Sequence, residues 1–366
     1  MKIIQFSQQG KRGNNEDSLG RTAGLLTVCD GIGGHVSGER ASAFVVQAML
    51  RAFDEPRQLG KMEIEQQLNQ VQTDLNQLLE TEPELEKMGT TFTGVFITPD
   101  VWYAAHIGDS RIYLFRPSER KLWHTWDHSL VGELMRTHEI TIEAGRFHPM
   151  SNRISKAILA QRDGKPASAS IVKIDELKAG DIFLLCSDGV VEGWGDLELV
   201  NLFSDTSLSF EQQCEKLRQQ CEAKSKDNNT ALIAQIEESD GFSYGSNEEL
   251  DWTSFEEVEA DYQQYLKDNN PQPNPQPNPQ PKSKPDPMPE PPTRQTGKRS
   301  SRKMLLLFLV ILLLLLGVGA FLFFGGGSPK EEKGKTEETT TIHKVPQAAT
   351  PVGNNDDKEN REDKDN

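Results

Sequence analysis

Residues 25–30 read LLTVCD and residues 181–188 read DIFLLCSD. In both, the apolar run stops at an aspartate followed by glycine, Gly31 and Gly189. Short apolar runs bounded this way fit buried strands. Working outward, further strand-like runs are TFTGVFI (91–97), VWYAAHIG (101–108), RIYLFR (111–116), IVKI (171–174) and ALIAQI (231–236). Helical periodicity begins near Gly38 (ERASAFVVQAMLRAF), near Met62 (EIEQQLNQVQTDLNQLL) and near Phe210 (EQQCEKLRQQCEA). Strands cluster between helices without strict alternation. That order predicts an α+β layered fold rather than a doubly wound sheet.

Acidic residues mark the ends of these runs. Glu16 and Asp17 lie in RGNNED, Asp30 and Asp188 close two strands, and Asp227 opens DNNT before ALIAQI. Carboxylates at strand ends sit on a sheet rim, where loops can converge on one pocket. Hard cations such as Mg²⁺ and Mn²⁺ choose oxygen ligands, and glycine after aspartate lets a backbone carbonyl approach the metal as well. Singly, each signal reads as a turn or a surface loop. Asp163-Gly164 and Asp240-Gly241 are read as turns only.

The ordered set is more specific than its parts. RGNNEDS, VCDGIGGHVSGERAS, GTTFTGVFI, HIGDSRIYLFR, HPMSNRISKAI, LLCSDGV and DNNT, in that order, resemble the bacterial branch of the type 2C metal-dependent serine/threonine protein phosphatases. The resemblance spans residues 5–238. It implies a four-layer αββα sandwich with a dinuclear site for Mn²⁺ or Mg²⁺ at one end. By that resemblance Asp30 bridges both ions, the Gly31 carbonyl binds one of them, and Glu16 reaches that ion through water. Asp188 and Asp227 bind the other ion. Asp109, in GDSR, matches the position of a third, weaker metal. Arg12 matches the arginine that holds the substrate phosphate. The implied substrates are phosphoserine and phosphothreonine proteins, in opposition to a serine/threonine kinase of the same cell.

Two divalent ions sharing a water lower its pKa, and a guanidinium adds bidentate hydrogen bonds to phosphoryl oxygens. His35, after GIGG, has two readings: proton donor to the leaving alkoxide, or structural loop histidine. His148, in HPMSN, is read as structural. Residues 127–149 resemble the family's mobile flap beside the active site. One position departs from the pattern: the family usually carries aspartate four residues beyond the Asp of SDG, and here Glu192 stands there. Its longer arm puts the third metal in doubt and leaves the two-metal core intact.

The chain has 366 residues and a formal net charge of −16. Such acidity argues against a nucleic-acid partner, since phosphate backbones are gripped by Lys and Arg clusters. Its four cysteines (Cys29, Cys186, Cys214 and Cys221) form no CxxC pair, which argues against structural zinc and against a disulfide framework. Cys29 and Cys186 end apolar runs and are expected to be small core residues. The stretch MKIIQFSQQGKRGNNED lacks the apolar segment of a signal peptide. The N-terminal domain is therefore expected in the cytoplasm.

Composition changes along the chain. The domain is expected over 1–240, followed by an acidic and then Pro-rich linker over 241–303. Eleven of the 20 prolines fall between Pro271 and Pro292, reading as an extended spacer rather than a docking epitope. Residues 304–324, MLLLFLVILLLLLGVGAFLFF, carry no charge over 21 positions, enough for one transmembrane helix. Lys298, Arg299, Arg302 and Lys303 precede it, so the positive-inside rule puts the N-terminal side in the cytoplasm. Residues 325–366 form a polar tail, expected outside the cell and disordered.

A cysteine-dependent phosphatase is excluded, because Arg does not stand six positions beyond any of the four cysteines. The main alternative is a catalytically inactive phosphatase fold kept as a binding or signalling module at the membrane. A sensor with the outer tail as input is a further reading, disfavoured because that tail shows no compact domain.

Overall fold

The structure, a computed structural model, describes residues 1–33, 37–162 and 165–269. His35, Asp163-Gly164, the Pro-rich run, the apolar run 304–324 and the tail lie outside the described residues. Among the described residues no helix is long and apolar enough to cross a membrane.

In chain order the strands and helices are β1 (Lys2–Gln8), β2 (Ser18–Arg21), β3 (Leu25–Cys29), β4 (Gly31–Ile32), α1 (Ser37–Ala52) and α2 (Lys61–Thr81). Then come β5 (Gly89–Thr90), β6 (Phe92–Phe96), β7 (Trp102–Ile107), β8 (Arg111–Arg116), β9 (Lys121–His124), α3 (Leu130–Arg136), α4 (Ile142–Arg146), β10 (Ile158–Leu159), β11 (Ser170–Ile174) and β12 (Glu176–Leu177). The series ends with β13 (Ile182–Cys186), α5 (Asp188–Gly193), α6 (Asp196–Phe203), α7 (Phe210–Lys224), β14 (Asn229–Gln235), β15 (Phe242–Ser243), β16 (Thr253–Ser254) and α8 (Phe255–Asn269).

Two antiparallel sheets dominate. One has the order β1-β14-β13-β8-β9-β16 and the other β11-β7-β6-β3-β2. They pack face to face through Leu26, Val28 and Val95 on one side and Ile112, Leu114, Phe183 and Leu185 on the other. The outer face of the second sheet, with Leu25, Phe92 and Phe96, is covered by α1 and α2. The outer face of the first, with Ile182, Leu184 and Cys186, is covered by α5, α6, α7 and α8. The expected α+β fold is thus four layers deep.

This layering explains the unbroken apolar runs. Each of β3, β6, β7, β8 and β13 is buried at every position. Alternate residues face a sheet on one side and helices on the other, so neither face can be polar. Truncating fully buried Leu185 to Ala would cost about 2–5 kcal/mol. Helix α1 buries Ala41, Val45 and Met49 at helical spacing, and α2 buries Ile64, Leu68, Val71, Leu75 and Leu79. Helix α7 starts where Ser209 and Gln212 close a capping box. All four cysteines are buried thiols, as expected for Cys29 and Cys186.

The domain does not end at 240, as the sequence reading had it. Residues 241–269, assigned there to an acidic linker, carry β15, β16 and the 15-residue helix α8. Strand β15 pairs with β12 and β16 with β9. Buried Val258 carries α8 into the core beside α6 and α7. Acidic residues on its solvent side hide the sparse apolar stripe of this helix.

Candidate functional site

The antiparallel register brings the acidic positions to one end of the sandwich. Ser18 pairs with Cys29, so Asp17 and Asp30 emerge side by side. Cys186 pairs with both Arg111 and Ala231. Asp188, Asp109 and Asp227 therefore leave neighbouring strands at the same rim.

Threonine and serine side chains fix the Asp30 backbone. Its amide donates to Thr91 Oγ1 at 2.8 Å, and its carbonyl accepts from the Thr91 amide and Thr90 Oγ1, both at 2.8 Å. Thr91 and Ser110 hydroxyls meet at 2.7 Å. The GTT and GDS sequences thus act as a cradle for Asp30. Glycine after each aspartate answers crowding as well as turn geometry. A Cβ at Gly31 would collide with the Gly38 carbonyl, and one at Gly189 with the Asn228 carbonyl.

Asn228 ties two loops together. Its Oδ1 accepts from the Glu16 amide at 2.9 Å, and its Nδ2 donates to the Gln9 and Asn14 carbonyls at 2.8 Å each. Glu16 lies on the Gly31 side of the site: its carbonyl accepts from the Gly31 amide at 3.1 Å, and its carboxylate rests against Gly38.

Burial and mutual repulsion dominate the electrostatics. Burial, with Asp17, Asp188, Asp109 and Asp227 nearby, raises the Asp30 carboxyl well above the ordinary range. Asp188 is raised in the same way by burial, Asp109 and Asp227. Burial and the neighbouring charge of Asp127 push Asp109 up to about 7, and burial pushes Asp17 up to about 6. The nearby guanidiniums are engaged. Arg111 is buried in a bidentate pair with Asp127 at 2.7 and 2.8 Å. Arg12 pairs with Asp227, Nε donating to Oδ1 at 2.6 Å and Nη2 to Oδ2.

A cavity of about 810 Å³ opens at this rim. Arg12, Asp109, Asp188, Asp227, Arg146 and Phe147 are among the residues that line it. The structure brings together Arg12, Asp30, Asp109, Asp188 and Asp227, with Glu16 and Gly31 adjoining. His148 also lines the cavity, and its Nδ1 accepts from the Met150 amide at 3.1 Å.

Sequence reasoning assigned no role to Asp17, which is buried and accepts from Ser187 Oγ at 2.7 Å. Recognising β2 as the partner of β3 would have found it. Glu192, at the position that bears on a third metal in the family pattern, meets the Asp227 loop. Its Oε2 accepts from the amides of Lys226 and Asp227 at 2.8 and 3.2 Å.

The donor set fits divalent cations. Asp17 Oδ1 and Asp188 Oδ1 are buried without any hydrogen-bond partner, and the oxygen-only cluster holds more negative charge than Arg12 offsets. Among the described residues no group of three His, Cys, Asp or Glu side chains is placed to hold a metal ion as the side chains stand. Arg12 occupies the Asp227 carboxylate, so metal binding at Asp227 requires that pair to rearrange.

The protein phosphatase 2C family profile matches residues 7–237. The chain belongs to that family. Among its protein phosphatase 2C relatives is the serine/threonine protein phosphatase PstP of Mycobacterium tuberculosis, 34% identical over 199 residues. That match covers 53% of this chain and 38% of the relative. This chain thus spans well under half of the mycobacterial protein. The serine/threonine phosphatase Stp of Listeria monocytogenes is 35% identical over 190 residues, 49% of this chain and 73% of the relative. The crystal structure of mycobacterial PstP superposes with a TM-score of 0.56 at 30% identity, covering 64% of this chain and 98% of that one. The PstP catalytic domain solved with two manganese ions gives 0.55 at 29% identity, covering 65% and 98%.

Proposed function

We propose that this chain hydrolyses phosphoserine and phosphothreonine on proteins, with two divalent cations, Mn²⁺ or Mg²⁺, as cofactors. The carrying observation is the crowd of five aspartates at one end of the sandwich with Arg12 beside them. Asp30, Asp188 and Asp227 suit one cation; Asp30, the Gly31 carbonyl and Glu16 suit the other. Asp109 is the candidate for a third, weaker site, while Glu192 supports the Asp227 loop through its Oε2. When bound, such ions supply an activated water near neutral pH and offset phosphoryl charge.

The chain's own residues do the rest. Arg12, more than half exposed at the cavity mouth, grips phosphoryl oxygens through its planar fork. The GTT cradle holds Asp30 in place. Asn228 and Glu192 hold the Asp227 loop, which keeps the rim rigid during the reaction. His35 keeps its two readings, leaving-group acid or loop support.

Phosphorylated proteins are the partners in this reading, set against a cognate serine/threonine kinase. The apolar run 304–324 anchors the chain as a single pass in the cell membrane, with the phosphatase domain cytoplasmic and the tail outside. The basic residues before the run support that orientation. An inactive binding module is the second reading, motivated by the Arg12–Asp227 pair, which leaves no closed shell.

The deciding experiment assays the full chain in detergent on a phosphothreonine peptide, with and without Mn²⁺, beside Asp30→Asn and Asp188→Asn. Turnover that needs Mn²⁺ and disappears in both variants is expected. A folded protein that neither binds Mn²⁺ nor turns over would establish the binding module instead.

A further inference from the structure

Helix α8 lies beyond the family match, which ends at residue 237. It packs against α4, the short helix of the flap that lines the cavity through Gly145 and Arg146. Both oxygens of Asp261 accept from the Ile142 amide, at 3.1 and 3.0 Å. The Glu143 amide also reaches this carboxylate. Thr141 Oγ1 accepts from the Ala144 amide at 3.1 Å. The first amides of a helix have no partner inside it. Here α4 caps one itself and takes the others' partner from α8. Tyr265 adds an aromatic contact with Phe147, ring centres 6.2 Å apart.

Helix α8 is itself anchored. Strand β16 pairs with β9, the Phe255 amide donates to the Arg120 carbonyl at 2.9 Å, and the Arg120 guanidinium lies 3.7 Å over the Phe255 ring. Val258 is buried in the core below.

From α4 the contacts continue to the acidic rim. Arg146 is held by Glu143 and donates to the Val191 and Glu192 carbonyls at 3.0 and 3.2 Å. The Glu192 side chain then holds the Lys226 and Asp227 amides. Arg146 meets the backbone carbonyls of Val191 and Glu192, whereas the Glu192 side chain holds the Asp227 loop, so that loop keeps its own support when α4 loosens.

We infer that residues 250–269 are an intramolecular brace for the flap, with Asp261 as the positioning residue that sets how protein substrates enter the cavity. The brace is a property of the fold. Its effect on substrate rests on the phosphatase reading above. Because the flap adds cavity lining but none of the proposed cation ligands, a phosphoprotein feels its looseness and a small aryl phosphate does not.

The test uses the full chain in detergent and compares wild type with Asp261→Ala, Asp261→Asn and Val258→Ala. Amide hydrogen exchange is followed at residues 138–152, with β13 and β14 as the internal reference for an intact fold. Losing a cap should raise flap exchange about fivefold in Asp261→Ala. Asp261→Asn, which keeps an acceptor oxygen, should recover most of the protection. Val258→Ala should loosen α8 and the flap together. For Asp261→Ala, KM for a phosphothreonine peptide should rise severalfold with kcat unchanged, and hydrolysis of p-nitrophenyl phosphate should not move. Wild-type flap exchange in Asp261→Ala, or a loosened α8 over a still-protected flap in Val258→Ala, overturns the brace. Faster flap exchange with an unchanged peptide KM overturns its role in substrate entry. The exchange readout needs no turnover, so an inactive enzyme would count against the phosphatase reading alone.

Discussion

Arg12 and Asp227 meet at the mouth of the acidic cavity, with Arg12 Nε donating to Asp227 Oδ1 at 2.6 Å and Nη2 donating to Oδ2. In the proposed phosphatase this one guanidinium would serve both a carboxylate that suits a cation and the phosphate of a substrate. The pair is half open to solvent and contributes about 1 kcal/mol at most. Replacing Arg12 by Ala should lower kcat/KM for a phosphothreonine peptide roughly 10- to 100-fold, the worth of charge-assisted hydrogen bonds to phosphate. Mn²⁺ affinity, read by calorimetry, should hold or tighten, because Asp227 is released. An unchanged kcat/KM would remove Arg12 from the phosphate site.

Glu192 supports Asp227 from the other side through two backbone amides. Glu192→Ala should weaken Mn²⁺ binding about 10-fold, the usual cost of losing a group that orients a ligand. Glu192→Gln keeps an acceptor oxygen and should stay near wild type. If Gln and Ala were equally damaging, charge at 192 rather than loop support would be its contribution.

The metal-free protein should lose stability as pH rises. Asp17 and Asp109 are raised to about 6 and 7 in the folded chain, against about 3.9 unfolded. Asp30 and Asp188 are raised further by burial. Between these values the folded state binds more protons than the unfolded state, so the stabilisation present below pH 4 disappears as pH climbs through 6 and 7. In EDTA, Tm should be lower at pH 8 than at pH 5 by on the order of 5 °C. Adding Mn²⁺ should reverse the order, since its ligands must be deprotonated. A flat Tm in EDTA would mean that the carboxylates are not crowded in solution.

Asp17 tests the same crowding one charge at a time. Asp17→Asn keeps an acceptor for Ser187 Oγ and removes a buried negative charge beside Asp30 and Asp188. Metal-free Tm should rise at pH 8 and stay put at pH 5, where the carboxyl is already protonated. Mn²⁺ affinity should fall about 10-fold as the oxygen cluster loses charge. A lower Tm at both pH values would instead make Asp17 a purely structural hydrogen-bond partner.

Much of this was legible in the chain. The apolar runs of β3, β6, β7, β8, β13 and β14 needed only their length, with Asp-Gly endings marking β3 and β13, because strands buried on both faces cannot alternate. Strands β1 and β2 were missed. Both lie at sheet edges and are only partly buried, so their patterns are weak. Helix α8 was lost for a related reason, a single deeply buried residue in an acidic segment.

By itself the sequence determined which side chains could serve as hard oxygen donors, that they flank strands in a set order, and that the fold is layered α+β. Local pattern suffices for these, since strand periodicity and turn chemistry act over a few residues. Only the tertiary structure decided that Asp17 joins the cluster, that Arg12 spans to Asp227, that Glu192 supports a loop, and that α8 holds the flap. Each of these depends on strand register or on contacts between residues more than a hundred positions apart, or on a loop brought back by the fold. Such contacts form once burial of the apolar faces has fixed how the layers stack, and no stretch of neighbouring residues encodes them.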